Sequence, residues 1–208
     1  MPIDRQTHWD RVYTTKAADA VSWYEPHAEV SLRLIRATGI DPAARIINIG
    51  AGVSPLAGDL LDRGYKHVAV LDISPAALAE ARARLGARAE QITWIEGDVT
   101  TAPLPGRFDL WHDRAVLHFL TEPEDRQRYR AALLRGLAPG GHVVIGAFAP
   151  DGPERCSGLP VFRYDEARMA EVLGPEFVLR SSERGVHRTP SGAEQRFAWF
   201  WLQRAEAS

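Results

Sequence analysis

Apolar and polar positions along the chain change period near residue 41. Before it, spacing is helical. Trp9, Val12 and Tyr13 recur at helical intervals, and Val30, Leu32, Leu34 and Ile35 form an amphipathic stretch that stops at Thr38-Gly39. Between them, Val21-Ser22-Trp23-Tyr24-Glu25-Pro26 sets two aromatics before a proline, which predicts a packed loop. After Asp41-Pro42, short apolar runs alternate with helical segments. The pattern predicts strands at 45–49, 67–72, 92–95, 108–112 and 142–148. It predicts helices after Ser54-Pro55 and Ser74-Pro75, each pairing an N-cap serine with proline at the first helical position. A third helix opens at Thr121-Glu122-Pro123-Glu124, which has capping-box spacing, and closes at the 137–141 turn, Leu-Ala-Pro-Gly-Gly. This alternation is the signature of a mostly parallel sheet with helices on both faces.

The last fifty residues break the rhythm. A Pro/Gly-rich loop spans 150–160, a short helix 165–173, and strands 177–183 and 195–202 follow with no long helix between them, so they should pair antiparallel. In the final strand Phe197, Trp199 and Trp201 point one way and Ala198, Phe200 and Leu202 the other. Both faces are apolar, which places the last strand inside the sheet.

Composition narrows the classes. The chain has 208 residues, 45% hydrophobic and 25% charged, close to the globular average. A net charge of -2 disfavours a nucleic-acid binder that works through phosphate contacts. A single cysteine, Cys156, allows neither an internal disulfide nor a Cys-rich metal site. The remaining histidines show no ligand spacing, so no metal is expected. The polar opening and the lack of a long apolar run predict a cytoplasmic protein without membrane partners.

Candidate chemistry lies at strand ends. Ile49-Gly50-Ala51-Gly52 leads a strand into a helix, and glycines allow the backbone to approach a ligand closely. The third glycine of the dinucleotide fingerprint is missing, because position 55 is proline, which argues against a pyrophosphate ligand. Asp72 ends the second strand twenty residues past Gly52, where a carboxylate can accept both ribose hydroxyls. Glu96-Gly97-Asp98-Val99 follows the third strand and could serve an adenine amino group and ring nitrogen. At the fourth strand's end come His112, Asp113 and Arg114, then His118. Arg114 offers a charge for an anionic substrate, and His112 or His118 a proton acceptor. Cys156, with no evident partner, reads as inert.

Together these residues resemble a class I S-adenosylmethionine (SAM) dependent methyltransferase. The resemblance rests on Asn48-Ile49-Gly50-Ala51-Gly52, Asp72, Asp98-Val99, Phe108-Asp109-Leu110-Trp111 and the Pro-Gly turn at 139–141. It implies a Rossmann-like α/β fold with a seven-stranded, mostly parallel sheet and an antiparallel C-terminal strand pair. It also implies one domain over 1–208: a helical lid or substrate segment at 1–40, a SAM-binding core at 41–150, and a C-terminal helix and strands at 151–208. The implied cofactor residues are Asn48, Gly50, Ala51, Gly52, Asp72, Ile73, Asp98, Val99 and Trp23. One departure matters: the family usually carries an acid where this chain has Asn48, so no charge faces the cofactor's cationic amine.

His8-Trp9-Asp10-Arg11-Val12-Tyr13 and Val21-Ser22-Trp23-Tyr24 resemble a subgroup of small methyltransferases, some acting on protein lysines and others on thiopurines or tellurium compounds. In such enzymes the N-terminal segment folds over the cofactor, so Trp23 and Tyr24 would help close the site. The acidic-basic pair Asp113-Arg114 also resembles one in thiopurine-type enzymes. No Asn-Pro-Pro-Tyr or Asp-Pro-Pro-Tyr motif follows the fourth strand, which disfavours the common amide- and base-methylating types. The expected acceptor is a small molecule, with a thiol or chalcogen compound as one candidate. A protein lysine methyltransferase and a nonenzymatic SAM- or nucleoside-binding module stay as alternatives, and oligomeric state is left open.

Overall fold

The computed structural model describes residues 4–206. In chain order the helices are α1 (Arg5–Thr15), α2 (Glu29–Ala37), α3 (Leu56–Asp62), α4 (Pro75–Leu85), α5 (Pro123–Gly136) and α6 (Glu166–Leu173). The strands are β1 (Arg45–Ile49), β2 (His67–Asp72), β3 (Ile92–Glu96), β4 (Phe108–Arg114), β5 (Leu137–Phe148), β6 (Arg155–Cys156), β7 (Leu159–Pro160), β8 (Phe177–Arg188) and β9 (Glu194–Arg204).

Seven strands form one sheet in the order β3-β2-β1-β4-β5-β9-β8. The first five are parallel, and β9 runs antiparallel between β5 and β8. The last strand is therefore interior, as its two apolar faces predict. Ala198, Phe200 and Leu202 join the core that includes α5 and α6 residues, while Phe197 and Trp199 join the core beneath α2 and α3. The same alternation divides β1 and β4. Ile47, Ile49 and Trp111 face the α5 side; Ile46 and Leu110 face the α2 side.

Capping follows the sequence only in part. Ser74 caps α4 by accepting from Ala77 N at 3.1 Å. Before α3 the cap is displaced: the helix begins at Leu56, and Ser54 Oγ accepts from Leu56 N at 3.3 Å. The capping box at 121–124 does not form. Glu122 holds the cap position without a side-chain bond, and Arg126 claims the Thr121 carbonyl instead. The 137–141 turn is a bulge within β5, because Phe108 pairs with Leu137 and Leu110 already pairs with His142. Within the Pro/Gly-rich loop, β6 and β7 form a small hairpin that the pattern did not foresee. No helix among the described residues is long and apolar enough to cross a membrane.

Two features bring the N-terminal segment over the sheet's carboxyl ends. Asp10 Oδ1 accepts from Ser74 Oγ at 2.7 Å and Ala76 N at 3.0 Å, which docks α1 on the first turn of α4. Asp59 Oδ2 accepts from Ala28 N at 3.0 Å, so α3 supplies the missing cap of α2.

Candidate functional site

The β1–α3 turn carries Gly50 at φ +56° and Gly52 at φ +52°, a conformation costly for any residue with a Cβ. A Cβ on Gly50 would drive into Val116 Cγ2, and one on Gly52 into the Tyr13 hydroxyl. The glycines thus permit both the turn and the close approach of its neighbours. Beside this turn, Asp72 is 4% exposed at the end of β2. Its Oδ2 accepts from Gly52 N at 2.7 Å and its Oδ1 from Ser74 N at 2.9 Å. Burial pushes the carboxyl up to about 6, and those backbone bonds oppose the shift. At the end of β3, Asp98 Oδ1 accepts from Thr100 N at 2.8 Å and Thr100 Oγ1 at 2.7 Å. Its Oδ2 takes Arg5 Nη1 at 3.3 Å, and Arg5 also pairs with Asp125 on α5.

These strand ends converge on one pocket. It is lined on one side by Gly50, Asp72, Ile73, Asp98 and Val99, and on the other by Trp9, Trp23, Arg114, Cys156 and Phe197. The free space between these walls is about 840 Å³ when the open mouth is counted. Trp23 packs edge-on against Trp9 (5.8 Å) and Tyr13 (6.0 Å), and Trp9 against Phe119 (4.9 Å). The wall is therefore an aromatic cluster formed across α1, the 21–24 loop and the β4–α5 connection.

Other residues singled out in the sequence lie elsewhere. Asn48, on β1, turns toward α2 and does not line the pocket. Its Oδ1 is 2.8 Å from His112 Nδ1, and His112 Nε2 is 2.8 Å from Ser31 Oγ. The Asn48 amide nitrogen has no partner. Burial, reinforced by Arg114, lowers the His112 ring to about 3. His112 is thus a neutral linker between β1, β4 and α2, which corrects the expectation of a proton acceptor.

Asp113 points through the opposite face. Its Oδ1 accepts from Val116 N at 2.9 Å; its Oδ2 accepts from Leu117 N at 3.1 Å and Tyr129 OH at 2.7 Å. It fixes the turn after β4 and does not line the pocket. His118 is fully buried between Phe119 and Phe148, its Nδ1 3.4 Å from Phe148 N, and burial lowers it to about 3 as well. It fills the core under the turn and, neutral and away from the pocket, corrects the expectation of a base there. Ala51 and Gly52 border a separate cleft behind the glycine turn, although Gly52 N still orients Asp72.

Of His112, Asp113, Arg114 and His118, only Arg114 meets the pocket. Its Nη1 donates to the Trp23 carbonyl at 2.9 Å, and its Nη2 lies 3.5 Å from Glu25 Oε2. Cys156 also lies in the wall, and burial pushes its thiol up, so it stays protonated. Sequence reasoning missed Arg5, Gln195 and Phe197 as lining residues. For Phe197 the signal was present, since its apolar face was read, but not which element it would meet. Among the described residues no group of three or more His, Cys, Asp or Glu is gathered to hold a metal.

A family model described as a methyltransferase domain matches residues 46–141. The chain is similar to the eEF1A lysine and N-terminal methyltransferase homolog of Drosophila melanogaster, 27% identical over 144 residues, covering 66% of this chain and 21% of that protein. It spans about a fifth to a third of the length of the first five curated relatives it matches. Among solved structures, one concerns the conversion of a disulfide bond into a thioacetal group during echinomycin biosynthesis. It has TM-score 0.80 and 19% identity, and the match covers 98% of this chain and 94% of that one. Another is the Burkholderia thailandensis 1,6-didemethyltoxoflavin-N1-methyltransferase with bound 1,6-didemethyltoxoflavin and S-adenosylhomocysteine. Its TM-score is 0.68 at 22% identity, covering 97% of this chain and 84% of that one.

Proposed function

We propose that this chain, a member of the class I SAM-dependent methyltransferase family, transfers the methyl group of SAM to a small-molecule acceptor. The observation that carries the reading is the convergence of Gly50, Asp72 and Asp98–Val99 on one pocket whose far wall is aromatic. These residues fit the cofactor. The Asp72 carboxylate can accept the ribose hydroxyls, Asp98 and the Val99 backbone suit an adenine edge, and Gly50 lines the pocket with backbone alone. The Asn48 side chain contributes no charge there and holds His112 instead.

SAM supplies an electrophilic methyl group on a sulfonium. The chain aligns the acceptor with that methyl and excludes water, and such positioning supplies much of the rate. Trp9, Trp23 and Phe119 form the dry wall. With His112 and His118 withdrawn, the pocket presents no histidine to remove a proton. That favours an acceptor arriving as a good nucleophile, such as a thiolate or another chalcogen anion, over an amine that must first be deprotonated. The likeness to lysine methyltransferases supports a second reading, methylation of a protein lysine. We place the protein in the cytoplasm on the same reading, with no nucleic-acid or membrane partner. The segment at 4–40, which supplies Arg5, Trp9 and Trp23 to the pocket, fits the role of a lid within a single domain.

Methyl-labelled SAM offered to a panel of small thiols, selenols, amines and phenols, and in parallel to a protein lysate, separates these readings. The expected result is label in a small chalcogen acceptor. Label confined to protein would select the lysine reading. Tight SAM binding with no transfer to any acceptor would select a nonenzymatic binder.

A further inference from the structure

The pocket does not end at Arg114. Arg114 and Phe197 line both it and a surface groove between residues 24–30 and the outer edge strand β8. Arg114 is committed on both sides. It is tied to the Trp23 carbonyl and to Glu25, and its guanidinium lies 5.4 Å from the centre of the Phe197 ring. Its positive charge is already paired with Glu25. Glu25 is only half served, because its Oε1 is buried without a hydrogen-bond partner while Oε2 faces Arg114. A buried carboxylate oxygen in that state calls for an N–H or O–H donor.

The charges around the groove agree. Arg114 is balanced by Glu25, and Arg188 pairs with Glu194 at 2.8 Å. Burial raises the Glu25 carboxyl, Arg114 opposes that shift, and Asp59 and Glu29 add to it with like charge. His27 is turned to Asp59, and His187 gives its Nε2 to the Ser22 carbonyl. Glu29 is left without a pairing cation in the groove. Tyr24, Val186 and Trp199 are among its other walls.

We infer that this groove is the acceptor's docking subsite and that Glu25 Oε1 receives the N–H of an ammonium group on the acceptor. The acceptor is thus a small amine-bearing molecule. Its reacting atom passes Arg114 and Phe197 into the pocket, while its ammonium handle stays at Glu25. Glu25 lines the groove and not the pocket, so it is a specificity-determining anchor and not the base. The inference rests on the methyltransferase reading and adds the acceptor's charge class.

Fluorine NMR on the S-adenosylhomocysteine complex tests it with two probes of equal length, para-fluorophenethylamine and para-fluorophenylpropionate. The amine is expected to bind and the carboxylate not to, a comparison on wild-type protein that needs no variant. Glu25→Gln should weaken the amine about tenfold or more, as loss of a charge-assisted bond implies. Because that change also strips Arg114 of its partner, Val186→Arg serves as a second variant. Val186 is exposed at the groove, and a cation there should weaken the amine severalfold while leaving S-adenosylhomocysteine affinity unchanged. Preference for the carboxylate, equal binding of both probes, or an amine affinity indifferent to both variants would overturn the inference. Loss of S-adenosylhomocysteine binding by wild-type protein would instead overturn the reading beneath it.

Discussion

Gly50→Ala is expected to destabilise the protein by about 2–5 kcal/mol. Two costs combine. The backbone at φ +56° lies in the left-handed region, where a Cβ costs roughly 1–2 kcal/mol. The new methyl also meets Val116 Cγ2, and overpacking of that kind costs about 1–3 kcal/mol. Val116 cannot swing aside freely, because its N–H is held by Asp113 Oδ1 at 2.9 Å. Chemical denaturation measures the loss, and Val116→Ala in the Gly50→Ala background divides it. The double variant should recover the packing share and keep the backbone share. Full recovery would mean the φ value carries no strain. No recovery would mean the contact with Val116 is not what the methyl meets.

Asp113→Ala is expected to cost at least about 3 kcal/mol of stability, with any activity lost through unfolding. Three donors converge on this fully buried carboxylate: Val116 N, Leu117 N and Tyr129 OH. Each buried donor left unsatisfied costs roughly 1–3 kcal/mol. Tyr129 OH also accepts from Trp111 Nε1 at 3.0 Å, so the damage extends into the core under α5. Thermal and urea unfolding measure the loss. A variant of normal stability with slow methyl transfer would mean that Asp113 acts in catalysis and not only in the fold.

Strand pleat separates His112, Asp113 and Arg114, which adjoin in the sequence, and His118 lies beyond the strand in the turn that follows. Successive side chains on β4 leave opposite faces. Trp111 and Asp113 share the α5 side; Leu110, His112 and Arg114 share the α2 side. Of these, only Arg114 stands far enough along the strand to clear the sheet's end. The alternation was legible in the sequence, and applied to β4 it would have placed Asp113 beside Trp111. The partners were not legible. Ser31, Asn48 and Tyr129 are 81, 64 and 16 residues from the side chains they bind.

The strands, the sheet's antiparallel end, the glycine turn and the Ser74 cap were readable because each depends on local spacing or on a two-faced apolar run. The β6–β7 hairpin was not, since two-residue strands carry no period. The aromatic wall was half readable. Trp9 and Tyr13 lie one helical turn apart and share a face, but their contact with Trp23 and Phe119 is set by how α1 docks. That docking runs through Asp10 to Ser74 and Ala76, more than sixty residues away.

Calorimetric titration of wild-type protein with S-adenosylhomocysteine, and separately with NAD, tests the central claim that these strand ends form a SAM site. The account predicts binding of the sulfur nucleoside and no heat with NAD. It also predicts a pH dependence of fixed sign. Ribose hydroxyls favour the ionised Asp72, whose carboxyl titrates at about 6 in the free protein, so ligand binding must expel any proton held there. Affinity should be at its plateau near neutrality and fall about tenfold by roughly pH 5, a loss that Asp72→Asn should flatten. Binding of NAD without S-adenosylhomocysteine, or a sulfur-nucleoside affinity that rises as the pH falls through 6, would contradict it.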